Sequence, residues 1–435
     1  MKRAASLLIL TAAPLFAGRS ALAAGYYVPD TGTVARSRGG AVVARGGDPL
    51  AIVYNPGALT EQRRPQLLLD MSALRFNAKF ERSGVPGDAE SGTTAKNDPP
   101  PQLVPAFVYT HPIGDRFTAA VGLVAPAGPR MKFDDDGPQR FSNTELTLQE
   151  ATYGFALAVR AHPMFSVGFY GGALYTSVTH DFRATLNGEA PPSESPANDL
   201  PVRLDVKDPF TLTAGAGVKM HLSPELEMGF SYRPEANLDA GGTLVTREPS
   251  PAKEDVHFVF NVPAIWRGGI RYVQPSWDVE MDVFWEGWGS HDAEIVTADD
   301  GNFAGTSESS VARKFRDAWS VRLGSTVQAA KGVQVHGGAY VETSAVPERT
   351  MDVSTYDAPK AGLATGVSFD LSKSLVLSLN FTYTLLQPVE VKDSQQRQKS
   401  PFPEEIVPRD ARSVVGNGTY SGNYEMAGLS LLAHF

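Results

Sequence analysis

Seven charged residues are spaced so that strand geometry would gather them: Glu227, Arg267, Arg271, Asp278, Glu280, Asp282 and Arg322. Asp278, Glu280 and Asp282 are two apart, so on a β-strand their carboxylates share one face. Set against Arg267, Arg271 and Arg322 on neighbouring strands, they give a ladder of cross-strand ion pairs. A second use is open to the same residues: Arg267 or Arg271 could receive a substrate carboxylate. Catalytic patterns are missing from the sequence. There is no Gly-x-Ser-x-Gly elbow, no His-Glu-x-x-His and no cysteine, and the eight histidines are scattered. "FDDDG" (Phe133 to Gly137) offers the carboxylates of Asp134 to Asp136 but lacks the ligand spacing of a calcium loop. It reads as a solvated outer loop, and no enzyme activity, metal or cofactor is expected.

The elements that must position these residues have a period of two. In "SWDVEMDVFWEGW" (Ser276 to Trp288), Trp277, Val279, Met281, Val283 and Trp285 lie on one face and the acidic residues on the other. "ELEMGFSYR" and "SLVLSLNFTYTL" alternate in the same way. Such runs are about 9–14 residues long, beyond the usual 5–6 of soluble strands and enough for a tilted membrane strand. The pattern predicts strands near 66–80, 102–111, 116–126, 148–162, 164–181, 209–222, 225–239, 258–273, 276–288, 317–329, 332–346, 361–372, 374–388 and 423–435. Every second gap is a short turn ("HPIGD", "HPM", "LSPE", "VQPS", "AAKG", "LSKS"), and the others are long and polar. Short turns at one end and long loops at the other predict a 14-stranded antiparallel transmembrane β-barrel. The chain ends on Phe435 after an alternating apolar run, the expected signal to a barrel-assembly machinery.

Met1 to Ala23 has a basic start (Lys2, Arg3), an apolar stretch (Leu7 to Ala17) and the small-x-small box Ala21-Leu22-Ala23, which reads as a signal peptide. Its removal at Ala24 leaves 36 basic against 48 acidic residues, a net charge of −12 that argues against a nucleic-acid partner. Ala24 to Pro65 is small, polar and glycine-rich, and reads either as a plug threaded into the barrel from the periplasmic side or as a loose N-terminus with a turn before the first strand. Within it Asn55-Pro56 makes a rigid corner, because proline fixes its own φ and keeps the preceding residue extended.

The sequence resembles the long-chain fatty acid and aromatic hydrocarbon transporters of Gram-negative outer membranes (FadL/TodX-like, OMPP1). The resemblance rests on "AGYYVPDTGTVARSRGGAVVARGGDPLAIVYNPGALT" after the cleavage site and on "VAPAGPRMKF" (Val124 to Phe133). It rests also on "NVPAIWRGGIRYVQPSWDVEMDVFWEGWGSHD" (Asn261 to Asp292) and "DAWSVRLGSTVQAAKGVQVHGGAYVETSAVP" (Asp317 to Pro347). It implies a three-part chain: signal peptide 1–23, plug 24–65 and barrel 66–435. The plug's constriction would involve Ala24, Gly25, Asp48, Asn55, Pro56 and Gly57, with Gly57-Ala58 exchanged relative to the family's usual order. It further implies passive uptake of hydrophobic molecules and sideways release through a kinked third strand, here at Gly122, Pro126 and Gly128. Outer-membrane lipids and lipopolysaccharide would surround a monomeric barrel. Two rivals remain at this level, a general diffusion porin and a non-transport surface protein on the same barrel.

Overall fold

A computed structural model describes residues 30–84, 90–125, 128, 130–186, 195–247, 251–298, 308–401 and 406–435. The signal peptide, Ala24, Gly25 and Pro126 lie outside them. Fourteen strands form the wall. They are β1 (Gln66–Arg82), β2 (Gln102–Ile113), β3 (Phe117–Val124), β4 (Glu145–His162), β5 (Phe165–Thr185), β6 (Asp199–His221) and β7 (Leu226–Arg233). The rest are β8 (Ile265–Gln274), β9 (Trp277–Glu286), β10 (Ala318–Ala330), β11 (Val333–Glu342), β12 (Lys360–Ser372), β13 (Leu375–Val391) and β14 (Gly418–His434). Each is antiparallel to its neighbours, and β14 pairs back to β1 from Gln66–His434 to Arg82–Gly418, closing the barrel. Closure pairs every wall strand on both sides, which is what hydrocarbon demands of backbone polar groups.

Alternation sets the two faces. Outward, Phe155, Phe169, Leu212, Leu363 and Phe381 are at least half exposed, the apolar belt that meets lipid. Inward, β9 buries Asp278, Glu280, Asp282, Phe284 and Glu286. At the long-loop end the wall continues above the belt. Segment 236–246 pairs with the first part of β6 and with 252–262, which pairs with 293–298, and that in turn with 308–312. Pro234 and Pro263 mark the breaks between this outer sheet and β7 and β8. Each lacks the N–H that a continuous ladder needs.

Residues 30–62 fill the lumen at the short-turn end. They form two short helices, α1 (Thr33–Ser37) and α2 (Ala51–Tyr54), and a 3-10 turn (Pro56–Glu61). Such short helices cannot hold themselves. The wall caps them instead: Asp70 Oδ2 of β1 accepts the Thr33 N–H at 2.6 Å, at a start where Gly32 has no side chain to offer. Plug and wall also approach backbone to backbone. A Cβ on Gly338 of β11 would overlap the Arg38 carbonyl carbon, and one on Gly168 of β5 would overlap Pro56.

Candidate functional site: the plugged lumen

Three carboxylates of β9 grip plug residues 38–44. Asp282 Oδ2 accepts the N–H groups of Val42 (2.8 Å) and Val43 (3.0 Å), and Glu280 Oε1 accepts that of Ala44 (2.6 Å). Arg38 Nη2 lies 2.8 Å from Asp278 and 3.3 Å from Glu280, while its Nη1 donates to Thr326 Oγ1 at 2.6 Å. Within the wall, Arg271 bridges Glu227 and Asp278, each at 3.0 Å. Asp282 and Arg322 face each other in register, yet each turns to the plug. Arg322 pairs with Asp30 at 2.5 Å and Glu342 at 2.9 Å, and its guanidinium lies over Phe284. Arg267 donates to the Val53 carbonyl at 3.2 Å and stacks near Tyr54 and Phe284. The ladder is therefore only partly wall to wall. The plug's unpaired N–H groups and arginines occupy the space that a purely cross-strand network would fill.

Asn55 is extended (φ −159°) before Pro56, and its side chain ties three segments together. Its Oδ1 caps the Gly57 N–H at 3.1 Å, and its Nδ2 donates to Val43 O at 2.7 Å and Val218 O at 3.0 Å. Asp48 makes the local turn by accepting the Leu50 N–H at 2.9 Å. Pro56 and Gly57 lie against Gly168 and Gly217 of the wall. At the end of the plug, Glu61 lies 3.0 Å from His221 and 3.1 Å from Lys219, which also reaches Glu227 at 2.6 Å. Burial would raise the Glu61 carboxyl, but His221 and Lys219 outweigh it and hold it at about 2. Glu61, His221 and Glu227 bring their ligand atoms within 4.8 Å of one another. The Lys219 ammonium already stands between the two carboxylates, where a metal ion would sit.

Above the plug the inner face changes character. Along β1, inward Asp70 and Ser72 give way to Leu74, Phe76, Ala78 and Phe80, all buried. Tyr420, Tyr424 and Met426 of β14 and Leu386 of β13 continue this apolar lining. Phe76 stacks on Tyr424 (ring centroids 4.4 Å apart) and Phe80 packs on Tyr420 (4.6 Å). The segment 343–359 folds into the mouth and adds Val346, Met351, Val353 and Tyr356 to the same cluster. Asp352 holds it in shape, accepting from Ser354 N and Thr355 N and pairing with Arg313 at 2.9 Å. Burial alone would raise that carboxyl, yet the Arg313 charge and the Ser354 hydroxyl hold it below its ordinary range. Asp357, at the base of the segment, is pushed up to about 8 by burial although Lys360 Nζ lies 2.8 Å away. Lys360 reaches Glu342 at 3.2 Å, so a chain of polar contacts runs from Asp357 through Lys360, Glu342 and Arg322 to Asp30 of the plug.

The third strand, with 8 residues, is shorter than its neighbours β2 and β4, with 12 and 18. Gly122 is paired on both sides, to Val108 and to Gly154, and pairing to β2 and β4 stops after Val124. Ala125 N still donates to Pro105 O at 3.1 Å. At Gly128 the chain runs so close to Leu148 of β4 that an added Cβ would stand 2.8 Å from its carbonyl. The Gln102 amide of β2 donates to that Leu148 carbonyl at 3.2 Å, spanning the place where β3 has ended. Phe435, two-thirds exposed, donates its N–H to Pro65 O at 3.0 Å, next to the seam between first and last strands.

Sequence reasoning did not single out Asp30, Arg38, Glu61, Asp70, Lys219, Glu342 or Lys360. Alternation along β1 and β11 was the available signal for Asp70 and Glu342. The plug residues carry no period, and their partners follow only from how the segment threads the barrel.

The comparisons agree with this architecture. The sequence profile of the outer membrane protein transport proteins (OMPP1/FadL/TodX) matches residues 15–422. The long-chain fatty acid transport protein of Escherichia coli O6:H1 is 20% identical over 371 residues, covering 78% of this chain and 82% of that one. The crystal structure of a Pseudomonas aeruginosa FadL homologue superposes with a TM-score of 0.80 at 16% identity, covering 95% of this chain and all of that one. The Ralstonia pickettii toluene transporter TbuX gives a TM-score of 0.69, also at 16% identity, over 94% and 99% of the two chains. With a closed 14-stranded barrel, an N-terminal plug and a profile match over most of its length, the chain belongs to the OMPP1/FadL/TodX family of outer membrane transport proteins.

Proposed function

We propose that this protein takes up hydrophobic small molecules, long-chain fatty acids or aromatic hydrocarbons, across the outer membrane without an energy source of its own. The observation that carries this is the apolar inner face above the plug. A diffusion porin has a polar, water-filled interior. Here Leu74, Phe76, Phe80, Leu386, Tyr420, Tyr424 and Met426 turn inward instead, and the plug closes the space below them. An apolar solute gains by leaving water for such a lining. Segment 343–359 covers the lining, so a solute would enter as that segment yields. Release would be sideways, where pairing to β3 ends after Val124, sparing the solute a passage through periplasmic water. On this reading Asp278, Glu280, Asp282, Arg267, Arg271 and Arg322 hold the plug, and Asn55, Pro56 and Gly57 shape its constriction. No step of it is catalytic, and one barrel suffices.

The test is binding of a fluorescent fatty acid to the purified barrel, with toluene as competitor. Phe76→Ala combined with Tyr424→Ala should weaken binding at least tenfold, since losing roughly 1.5–3 kcal/mol of apolar contact per ring corresponds to about a ten- to 150-fold loss. Undiminished binding by a folded double variant would remove the outer lumen from the uptake route.

A further inference from the structure

The outer face of the wall just above the lipid belt carries an organised set of charges that cargo passage does not use. Segment Arg130–Lys132 pairs with the start of β4, β4 with β5, and β5 with β6, which sets Lys132, Glu145, Asp181 and Arg203 in one cross-strand row. Alternation sends Met131, Phe133, Val202 and Leu204 into the buried interior. Their neighbours Arg130, Lys132 and Arg203 face out, with Arg183 beside them on β5. Arg203 binds Asp181 with two contacts, Nε at 2.7 Å and Nη2 at 2.6 Å. Arg183 Nη2 lies 3.1 Å from Asp135, in the Asp134–Asp136 run, and Arg130 lies 3.6 Å from Glu145. Arg247 completes the rim, its backbone N–H on Pro201 O, and its side chain forms no ion pair with a described residue. Lys132, Arg183, Arg203 and Arg247 line a surface pocket of about 370 Å³ together with Asp135, Glu145 and Asp181.

We propose that this pocket binds a phosphate group on the headgroup of an outer-leaflet glycolipid, of the lipopolysaccharide kind. Three features carry it. Four basic groups meet three acidic ones in the pocket lining, in a chain of net charge −9. The carboxylates fix the guanidinium groups in place while leaving donors over: Arg203 spends Nε and Nη2 on Asp181 and keeps Nη1 for a ligand. Arginines held this way suit phosphate, which takes several N–H groups at once. The third feature is height. Phe210 and Leu212, at 61% and 74% exposure, belong to the lipid belt further along β6. Seven residues separate Phe210 from Arg203, roughly 18 Å along the membrane normal at about 3.3 Å per residue and 40° of tilt. That is the level of headgroups and first sugars, not of acyl chains. The inference rests on placement in the outer membrane and is independent of the cargo.

The experiment uses full-length purified barrel and three probes: phosphorylated lipopolysaccharide, the same material dephosphorylated, and inorganic phosphate. The expected result is binding of the first probe, weakened about tenfold or more both by dephosphorylation and in the R183Q/R203Q/R247Q variant, as charge-assisted contacts are lost. Millimolar inorganic phosphate should fail to displace it. Equal binding by the triple variant or by dephosphorylated lipopolysaccharide would overturn the proposal. So would full displacement by inorganic phosphate, which would make the pocket a site for the free anion. Heat-modifiable gel mobility verifies that the variants are folded, and R203Q alone should show an intermediate loss.

Discussion

Replacing Arg38 by methionine should unseat the plug. The Arg38 side chain is fully buried and sits between Asp278 at 2.8 Å and Glu280 at 3.3 Å, with further bonds to Thr326 and the Ala41 carbonyl. Removing one partner of a buried pair costs about 3–5 kcal/mol, because the other charge stays buried without compensation. Asp278 keeps Arg271 at 3.0 Å, which softens its loss, and Glu280 keeps the Ala44 N–H. The lower end, about 3 kcal/mol, is therefore the better figure, a shift of roughly 150-fold in the ratio of seated to unseated plug. Barrel closure does not involve Arg38, so the variant should still fold and insert. Planar-bilayer recording reads the shift as a higher fraction of time in a conducting state, and limited proteolysis reads it as cleavage within residues 30–62. Arg75→Gln, at the exposed Arg75–Asp98 pair, is the control and should change neither. A folded Arg38→Met barrel as closed and as protease-resistant as the unaltered protein would refute the assignment of these carboxylates as the plug's anchor.

Gly338→Ala should leak as well, because its Cβ would overlap the Arg38 backbone, whereas Gly337→Ala, with open space at that position, should leave conductance unchanged. Deleting residues 24–57 should raise passive conductance further than either, measured in the same bilayers. Acid should free the end of the plug. The Glu61 carboxyl titrates at about 2 when seated against an ordinary 4.5, so its contribution is complete above pH 4.5 and is lost as pH falls toward 2. Conductance recorded between pH 7 and 2 should rise only in that lower window, and Glu61→Gln should remove that dependence.

The wall was legible in the sequence because each strand repeats one instruction: apolar to lipid, polar or aromatic to the lumen. Fourteen alternating runs with short turns at every second gap leave little choice of topology, and the structure has those fourteen strands. The outer extensions were not separable from the barrel strands by alternation, since 236–246 and 252–262 continue the same period past Pro234 and Pro263. Inward placement of Asp278, Glu280 and Asp282 followed from their spacing of two, but their partners did not. For Asp282 and Glu280 those partners are backbone N–H groups of Val42, Val43 and Ala44, which have no side-chain signature, and for Asp278 one of them is Arg38 of the plug. The third strand shows the same limit. Gly122 could be singled out by residue type, whereas the end of pairing at Val124 depends on where β2 and β4 diverge. Nor does β1 announce its change from Asp70 and Ser72 to Phe76 and Phe80, because a lumen-facing aromatic and a lipid-facing one read alike until register is known.

Uptake of labelled oleate, with labelled toluene in parallel, shows directly whether this barrel carries hydrophobic cargo. The host cells should lack their own transporter for hydrophobic compounds and express this protein as a folded outer-membrane barrel. Uptake of at least one of the two should be faster than in cells without it, and that gain should be lost with the Phe76→Ala, Tyr424→Ala pair. Uptake of neither, or uptake of small hydrophilic solutes instead, would contradict this function.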